Sequence, residues 1–472
     1  MKKLYVLLAT ILLACPSIFA QNFRTGYFLD GYMYKYQLNP AFQGERGFIA
    51  LPVIGKVSAG VESNLGLSTL LYPAADGTLM TALHPDVSSE DFLSKIKKAN
   101  PTNISTDINL LAFGFRAGKT YHTVDLSLQQ KANMALPGDV FRFLKNGASD
   151  GYPTYDLSNL GISANVYAQA AYGFSVKIKN FMSLGFRAKL LMGVQSINTN
   201  FDALSLTLNS DQWSARANGD MYISSIPAAY ISGSSDLDLV NELMAAVNSP
   251  NYGLAFDFGV SFDILKHITL SASVLDVGYI GWKNISKYSM ANRSWEFNGI
   301  ENIPVTGAEG TTPTQAVLED KLDELMNVFN VDSPEKLDMH KQKLGMTAMA
   351  GLELRLPFYN RLSFGALATH RFEGAYSWTE GRFSVNYAPF RWFSLAGNYA
   401  LSTFGESYGA AVNFHPKGLN LFVGVDSFKP ILNVTPQYIP IDEINTNVVV
   451  GLTFPFGKYN GRYPKKEKVG KE

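Results

Sequence analysis

Cysteine is nearly missing from this chain: its 472 residues hold one, Cys15. A lone thiol makes no intrachain disulfide and no Cys-ligated metal centre. Long apolar runs are missing as well. Past the N-terminus no stretch of about 18 apolar residues occurs, which argues against helical membrane spans. Charge is scarce and balanced, with 40 basic and 40 acidic side chains making up 17% of the chain. A net charge of zero offers no basic field for nucleic acid. The six histidines (His84, His122, His267, His340, His370 and His415) form no His-x-x-x-His pair. No phosphate-cradling glycine loop appears either, so no metal or cofactor is expected.

What is present points to the envelope. Lys2 and Lys3 precede an apolar core from Leu4 to Ala14, and Ala20 offers a small residue before Gln21. This is the pattern of a secretory signal peptide over residues 1–20. Cys15 also resembles an acylation site, a reading that Pro16 and the better-placed Ala20 disfavour.

The strongest signal is alternation. From Ile162 to Ile178 the even positions are Ile162, Ala164, Val166, Ala168, Ala170, Tyr172, Phe174, Val176 and Ile178. Between them lie Asn165, Gln169, Gly173, Lys177 and other small or polar residues. The pattern resumes after residues 179–181 with Met182, Leu184, Phe186, Ala188 and Leu190, set against Gly185, Arg187 and Lys189. A period of two means strand. The run of about 17 residues far exceeds the usual ~5–6 of soluble sheets. An apolar outer face with a polar inner face is what a transmembrane β-barrel needs. Short turns recur at 117–119, 179–181, 265–266, 358–360, 389–390 and 415–418, separated by longer connections. Six hairpins, one strand near Arg46–Gly60 and one near Thr446–Phe456 make an all-β, transmembrane antiparallel barrel of about 14 strands, within a range of 12–16. Residues 201–230 read as a further strand pair.

Around this barrel, residues 21–45 read as an N-terminal hatch, 46–456 as the barrel, and 457–472 as a basic periplasmic tail. Helical extracellular insertions are expected. Ser88 caps a helix at Phe92 and Leu93; others fall at Asp139–Lys145 and Leu237–Val247. Thr312-Pro313 opens another in a helical insertion near 284–345, and Ser333-Pro334 begins one reaching about Lys341. Such helices suit either a lid over the barrel mouth or a self-packed loop.

One short motif stands before the first strand: Tyr36-Gln37-Leu38-Asn39-Pro40-Ala41-Phe42. Pro40 fixes its own φ and holds Asn39 extended, which also suits an ordinary turn. An Asn-Pro-Ala triplet here resembles the hatch signature of the FadL-like transporters. Their resemblance implies a 14-stranded barrel that passes hydrophobic compounds through its wall. The triplet is also similar to one in the PorP/SprF-like membrane components of type IX secretion. Gly26 to Leu29, Pro52 to Gly55 and Ser63 to Leu67 extend the likeness over nearly the whole chain. There it resembles a Gram-negative outer-membrane family, domain of unknown function family 5723.

Gly405-Glu406-Ser407-Tyr408-Gly409 mimics a nucleophile elbow, but His415-Pro416 leaves no room for the helix an elbow requires. No enzyme is expected. The candidate site is the hatch motif Asn39, Pro40 and Ala41, with Lys177, Arg187, Lys189, Asp257, Asp263, Glu353, Arg355 and Arg371 facing the lumen. His370, with Arg371, could line the lumen as well. Such charges could tune a channel or pair to brace the wall and hatch. Gly173, Gly185 and Gly259 could mark a wall opening or make room for the hatch. The expected function is a FadL-like channel for a small hydrophobic ligand in the cell outer membrane, in contact with outer-membrane lipids. The alternative is a non-transporting anchor with protein partners in a surface or secretion complex.

Overall fold

In the computed structural model, residues 23–460 are described, apart from 53, 75, 149–153, 180, 210–211, 225–250, 299–319, 322, 326 and 429–442. The expected signal peptide, the helix at Leu237–Val247, the helix start at Thr312-Pro313 and the tail from residue 461 lie outside the described residues.

Fourteen antiparallel strands close into a barrel. The first, β1, is broken into Gly47–Ala50 and Lys56–Gly66. It is followed by β2 (Ala99–Ala117), β3 (Thr120–Pro137), β4 (Gly161–Lys179), β5 (Met182–Leu208), β6 (Asn251–Leu265) and β7 (Ile268–Phe297). Next, β8 is Glu335–Lys343 continued by Met346–Leu356, and β9 is Tyr359–Phe372. The last five are β10 (Trp378–Phe390), β11 (Phe393–Ser402), β12 (Gly405–Phe414), β13 (Asn420–Phe428) and β14 (Glu443–Phe456). Closure is made by β14 on β1, with Gly47 opposite Phe456 and Val57 opposite Val450.

The two faces differ as alternation requires. In β4, Ser163, Gln169 and Ser175 are buried while Tyr172 and Phe174 stand 50% and 37% exposed. Leu126, Leu190, Leu254, Phe256, Leu352, Phe383 and Val450 continue the exposed apolar belt around the barrel. Exposed apolar belts of this kind face hydrocarbon in membrane barrels.

The strand lengths are uneven. β5 has 27 residues and β7 has 30, against about 9–11 for one membrane crossing. Their surplus forms an extension on the long-connection side. There the strand Trp213–Ser224 sits above β6 and pairs with both neighbours, Met221 lying opposite Thr199 and Tyr288. This accounts for the strand pair expected near 201–230.

The loops bring one correction. Glu335–Lys343 is strand, not helix, and Leu337 pairs with Ile285. The overlong β7 offers an unpaired edge there, and satisfying it outweighs local helical preference. Residues 284–297 are likewise strand, so the described helical residues of the insertion are 320–321, 323–325 and 327–328. Its Leu325, Val328 and Phe329 pack on Leu204, Leu206, Ala215 and Ala217 of the extension. Helices do form at Ser89–Ser94, where Ser88 accepts from the Asp91 amide, and at Gly138–Asn146.

Leu126 lies near mid-strand on the outer face. Leu126→Arg should destabilise the barrel by about 2–4 kcal/mol, read from urea-dependent folding into lipid vesicles.

Candidate functional site

The lumen is occupied by the chain's own N-terminal segment. Phe23 to Ala41 carry two 3-10 turns, Arg24–Tyr27 and Met33–Gln37, and most of their side chains are buried. Phe23, Leu29, Tyr32, Tyr34 and Tyr36 form one core with Phe48, Ala396, Ala411, Phe422 and Val449 of the wall. Tyr27, Phe28 and Leu38 form another with Leu275, Met349 and Leu367. This packing follows from the sequence: a segment rich in tyrosine buries ring area and keeps a polar tip for a wetter wall.

Polar anchors fix the hatch at several places. At its start, the Asp426 carboxylate accepts from Arg24 Nε at 3.0 Å, the Thr25 amide at 2.5 Å and the Thr25 hydroxyl at 2.6 Å. Arg24 also pairs with Glu62, and Glu380 lies 3.4 Å away. Arg382 joins Glu380 at 2.9 Å and reaches Asp426 at 3.4 Å. In the middle, Ser394, Asn413 and Asn420 donate to the backbone carbonyls of Asp30 and Gly31. Gly31 has φ +74°, and a Cβ there would lie 2.7 Å from the His415 ring. Lys56 holds Gln37 and Asp107, both at 2.5 Å.

Asn39-Pro40-Ala41 has its own seat. Asn39 Nδ2 donates to the carbonyls of Val260 and Ala272 at 3.3 and 3.1 Å, and Asn39 Oδ1 accepts from the Ala41 amide at 2.9 Å. Gly185 and Gly259 lie opposite each other on β5 and β6, directly behind the motif. A Cβ on Gly185 would lie 2.0 Å from the Pro40 carbonyl carbon, and one on Gly259 would lie 2.1 Å from Asn39 Oδ1. The bare wall makes room for the hatch backbone. Gly173 differs: it faces Thr123 and Arg187.

The expected lumen residues divide into two groups. Arg187 and Lys189 come together on Asp257, at 3.2 and 2.6 Å. Lys177 does not join them. It is exposed at the short-turn mouth, where it lines a bowl with Asp263, Glu353 and Arg355. There Arg355 holds Asp30 and Glu353 at 3.0 and 2.8 Å, and Thr269 donates to Asp263 at 2.7 Å. Arg371 pairs with Glu373 at 2.5 Å near the long-connection side. His370 faces outward instead, bonded to Thr379 and against Phe372. Strand alternation requires this, since its neighbour Arg371 points in.

Sequence reasoning missed the groups that complete the network. Asp125 receives Arg187 at 2.6 Å, and Asp276 bridges Lys189 at 2.6 Å and Lys131 at 3.1 Å. Asp125 was findable, because it alternates with Val124 and Leu126. Asp276 was not, because it shares parity with the outward Ala272 and Val274. A bulge between Val274 and Val277, with Asp276 at φ +61°, turns it inward. Bulges re-aim side chains in this way.

Above the hatch the network leaves a cavity of about 70 Å³ lined by Gln129, Lys131, Lys189, Asp276, Arg371 and others. Among the described residues no cluster of His, Cys, Asp and Glu is arranged to hold a metal ion. Ser407 of the false elbow lies within β12.

Two outcomes test this seat. Gly185→Ala should push Asn39-Pro40-Ala41 off the wall and raise single-channel conductance in planar bilayers; unchanged conductance and unchanged protease protection would contradict the contact. Burial pushes the His415 imidazole down to about 4, with Asp30 pulling the other way. The unfolded chain therefore takes up this proton first. Stability is lost as pH falls from about 6.5 towards 4, and His415→Asn should remove that part of the pH dependence in urea titrations.

Solved barrels resemble the chain at low identity. The Ralstonia pickettii toluene transporter TbuX matches with 9% identity over 90% of this chain and 94% of that one, TM-score 0.41. The Pseudomonas putida toluene transporter TodX gives 8%, 91%, 94% and 0.40. A Pseudomonas aeruginosa FadL homologue gives 10%, 93%, 98% and 0.41. Likeness at that level assigns no activity. No curated protein matches significantly. A family model does match, over residues 40–426, and the chain belongs to the family of unknown function DUF5723.

Proposed function

We propose that this protein is an outer-membrane channel that exchanges a small hydrophobic ligand through its wall beside the hatch. The short turns would face the periplasm, and Asn39-Pro40-Ala41 would be the moving part. The observation that carries this reading is the bare wall at Gly185 and Gly259, where only main chain separates the hatch from the outer surface. A narrow cavity beside it is lined by Tyr36, Pro40 and Phe42 of the hatch, by Phe174 and Phe186 of the outward rows, and by Thr123, Ser175 and the ion-paired Arg187 of the inner face. An apolar solute would enter there once the hatch segment shifts, since the closed cavity holds only about 10 Å³. Such a solute does not suit the lumen above the hatch, where Lys131, Lys189, Asp276 and Arg371 would lose solvation against it. The route proposed is therefore lateral, between bilayer and hatch, with the bowl around Lys177 and Asp263 on the periplasmic side.

A different observation favours a second reading. The hatch is held by buried ion pairs at Arg24 and by Lys56 with Asp107. Removing one partner of a buried pair costs about 3–5 kcal/mol, so such a plug resists release. That suits a closed membrane anchor for a surface or secretion complex with protein partners.

Transfer of an apolar aromatic probe into proteoliposomes separates the two. A channel should exceed protein-free vesicles, with Asn39→Ala altering the rate severalfold. If wild type, Asn39→Ala and a hatch deletion all match protein-free vesicles, the transport reading fails and the anchor stands.

A further inference from the structure

The cluster that ties down the start of the hatch does not balance its charge. Two guanidinium groups, Arg24 and Arg382, meet three carboxyl groups, Glu62, Glu380 and Asp426. All five residues are at most 2% exposed. Asp426 is saturated by Arg24, Thr25 and Arg382, and both Glu380 oxygens accept from Arg382. Glu62 is placed differently. Its Oε1 takes Arg24 and lies 3.4 Å from the Ser427 hydroxyl, while its Oε2 is buried with no hydrogen-bond partner.

Among the described residues, no other charged side chain pairs with these five. Asn103 stands opposite Glu62 on β2 and Asn445 opposite it on β14. From β10, Trp378 lies against Arg24, and from β11, Asn398 donates to Thr25. Lys56 is matched by Asp107, and across the cavity that Arg24 helps to line, Arg187, Lys189, Lys131 and Arg371 are matched by Asp125, Asp257, Asp276 and Glu373. An uncompensated buried carboxylate carries a desolvation cost that folding does not sustain. The donors around the carboxyls are guanidinium, hydroxyl and amide, and no metal-compatible group exists among the described residues. A proton is the remaining small cation.

We propose that this cluster is a proton-binding site, with the proton on Glu62, and that losing the proton releases the start of the hatch. With it, three acids carry two negative charges and match the two arginines. Without it, Glu62 and Glu380 repel across Arg24, and the Arg24–Thr25 turn loses its balanced seat. The tie acts on the hatch segment that precedes Asn39-Pro40-Ala41. It holds for a transporting and for a non-transporting barrel alike.

The test uses the full-length barrel in detergent and in vesicles. Limited proteolysis of the hatch is followed from about pH 6 to about pH 10, with barrel integrity read from heat-modifiable gel mobility. Wild type should become cleavable with rising pH, the rate climbing about tenfold per pH unit for one released proton. Glu62→Gln, which keeps the shape and stays neutral, should remain protected throughout. Wild type should show a protonated-carboxyl stretch in infrared spectra at the low end of the range, and Glu62→Gln should lack it. Equal wild-type protection across the range would overturn the release. Glu62→Gln that tracks wild type would overturn the assignment to Glu62. Protection that depends on the sodium or potassium supplied, at fixed pH, would put a metal ion in place of the proton.

Discussion

Everything in this molecule depends on backbone hydrogen bonds that have no water to fall back on. Strands crossing hydrocarbon must satisfy every amide and carbonyl against a neighbour, and an open edge would leave a row of them bare. Closure of β14 onto β1 removes that edge. Closure also makes an inside, and alternation sends every second residue there. The polar half of the sequence is thereby concentrated in a narrow, poorly hydrated space.

That concentration explains the hatch. Charges gathered in a low-dielectric interior must pair, and the wall alone does not pair them all. Arg24 enters from the hatch to meet Glu62, Glu380 and Asp426, while Lys56 of the wall takes Gln37 and Asp107. Glycines do the complementary work. Where the hatch backbone runs flush against β5 and β6, only residues without a side chain fit, and Gly185 and Gly259 meet there. The plug is a second layer of the same structure, built from contacts the barrel needs for its own charge balance.

The barrel was largely legible from residue order, because a period of two in polarity is a local property. Hairpin turns, strand count and the outward rows follow from it. The places where reading by order went astray share one cause. Glu335–Lys343 became strand because β7 offered it an edge, which no local pattern announces. Asp276 turned inward because one bulge reversed the parity of β7. Lys177, two residues from the end of β4, reached the mouth instead of the cluster that Arg187 and Lys189 share.

By itself the sequence determined the class of solvent this protein meets: alternation over long strands separates an apolar surface from a polar interior. It also marked Asn39-Pro40-Ala41 and the inward glycines as special. Only the tertiary structure decided that these features touch, and that Arg24 finds Asp426, 402 residues away along the chain. The reason is physical. Side-chain polarity along a strand is set by nearest neighbours, whereas pairing inside a closed barrel depends on which strands curvature and register bring face to face.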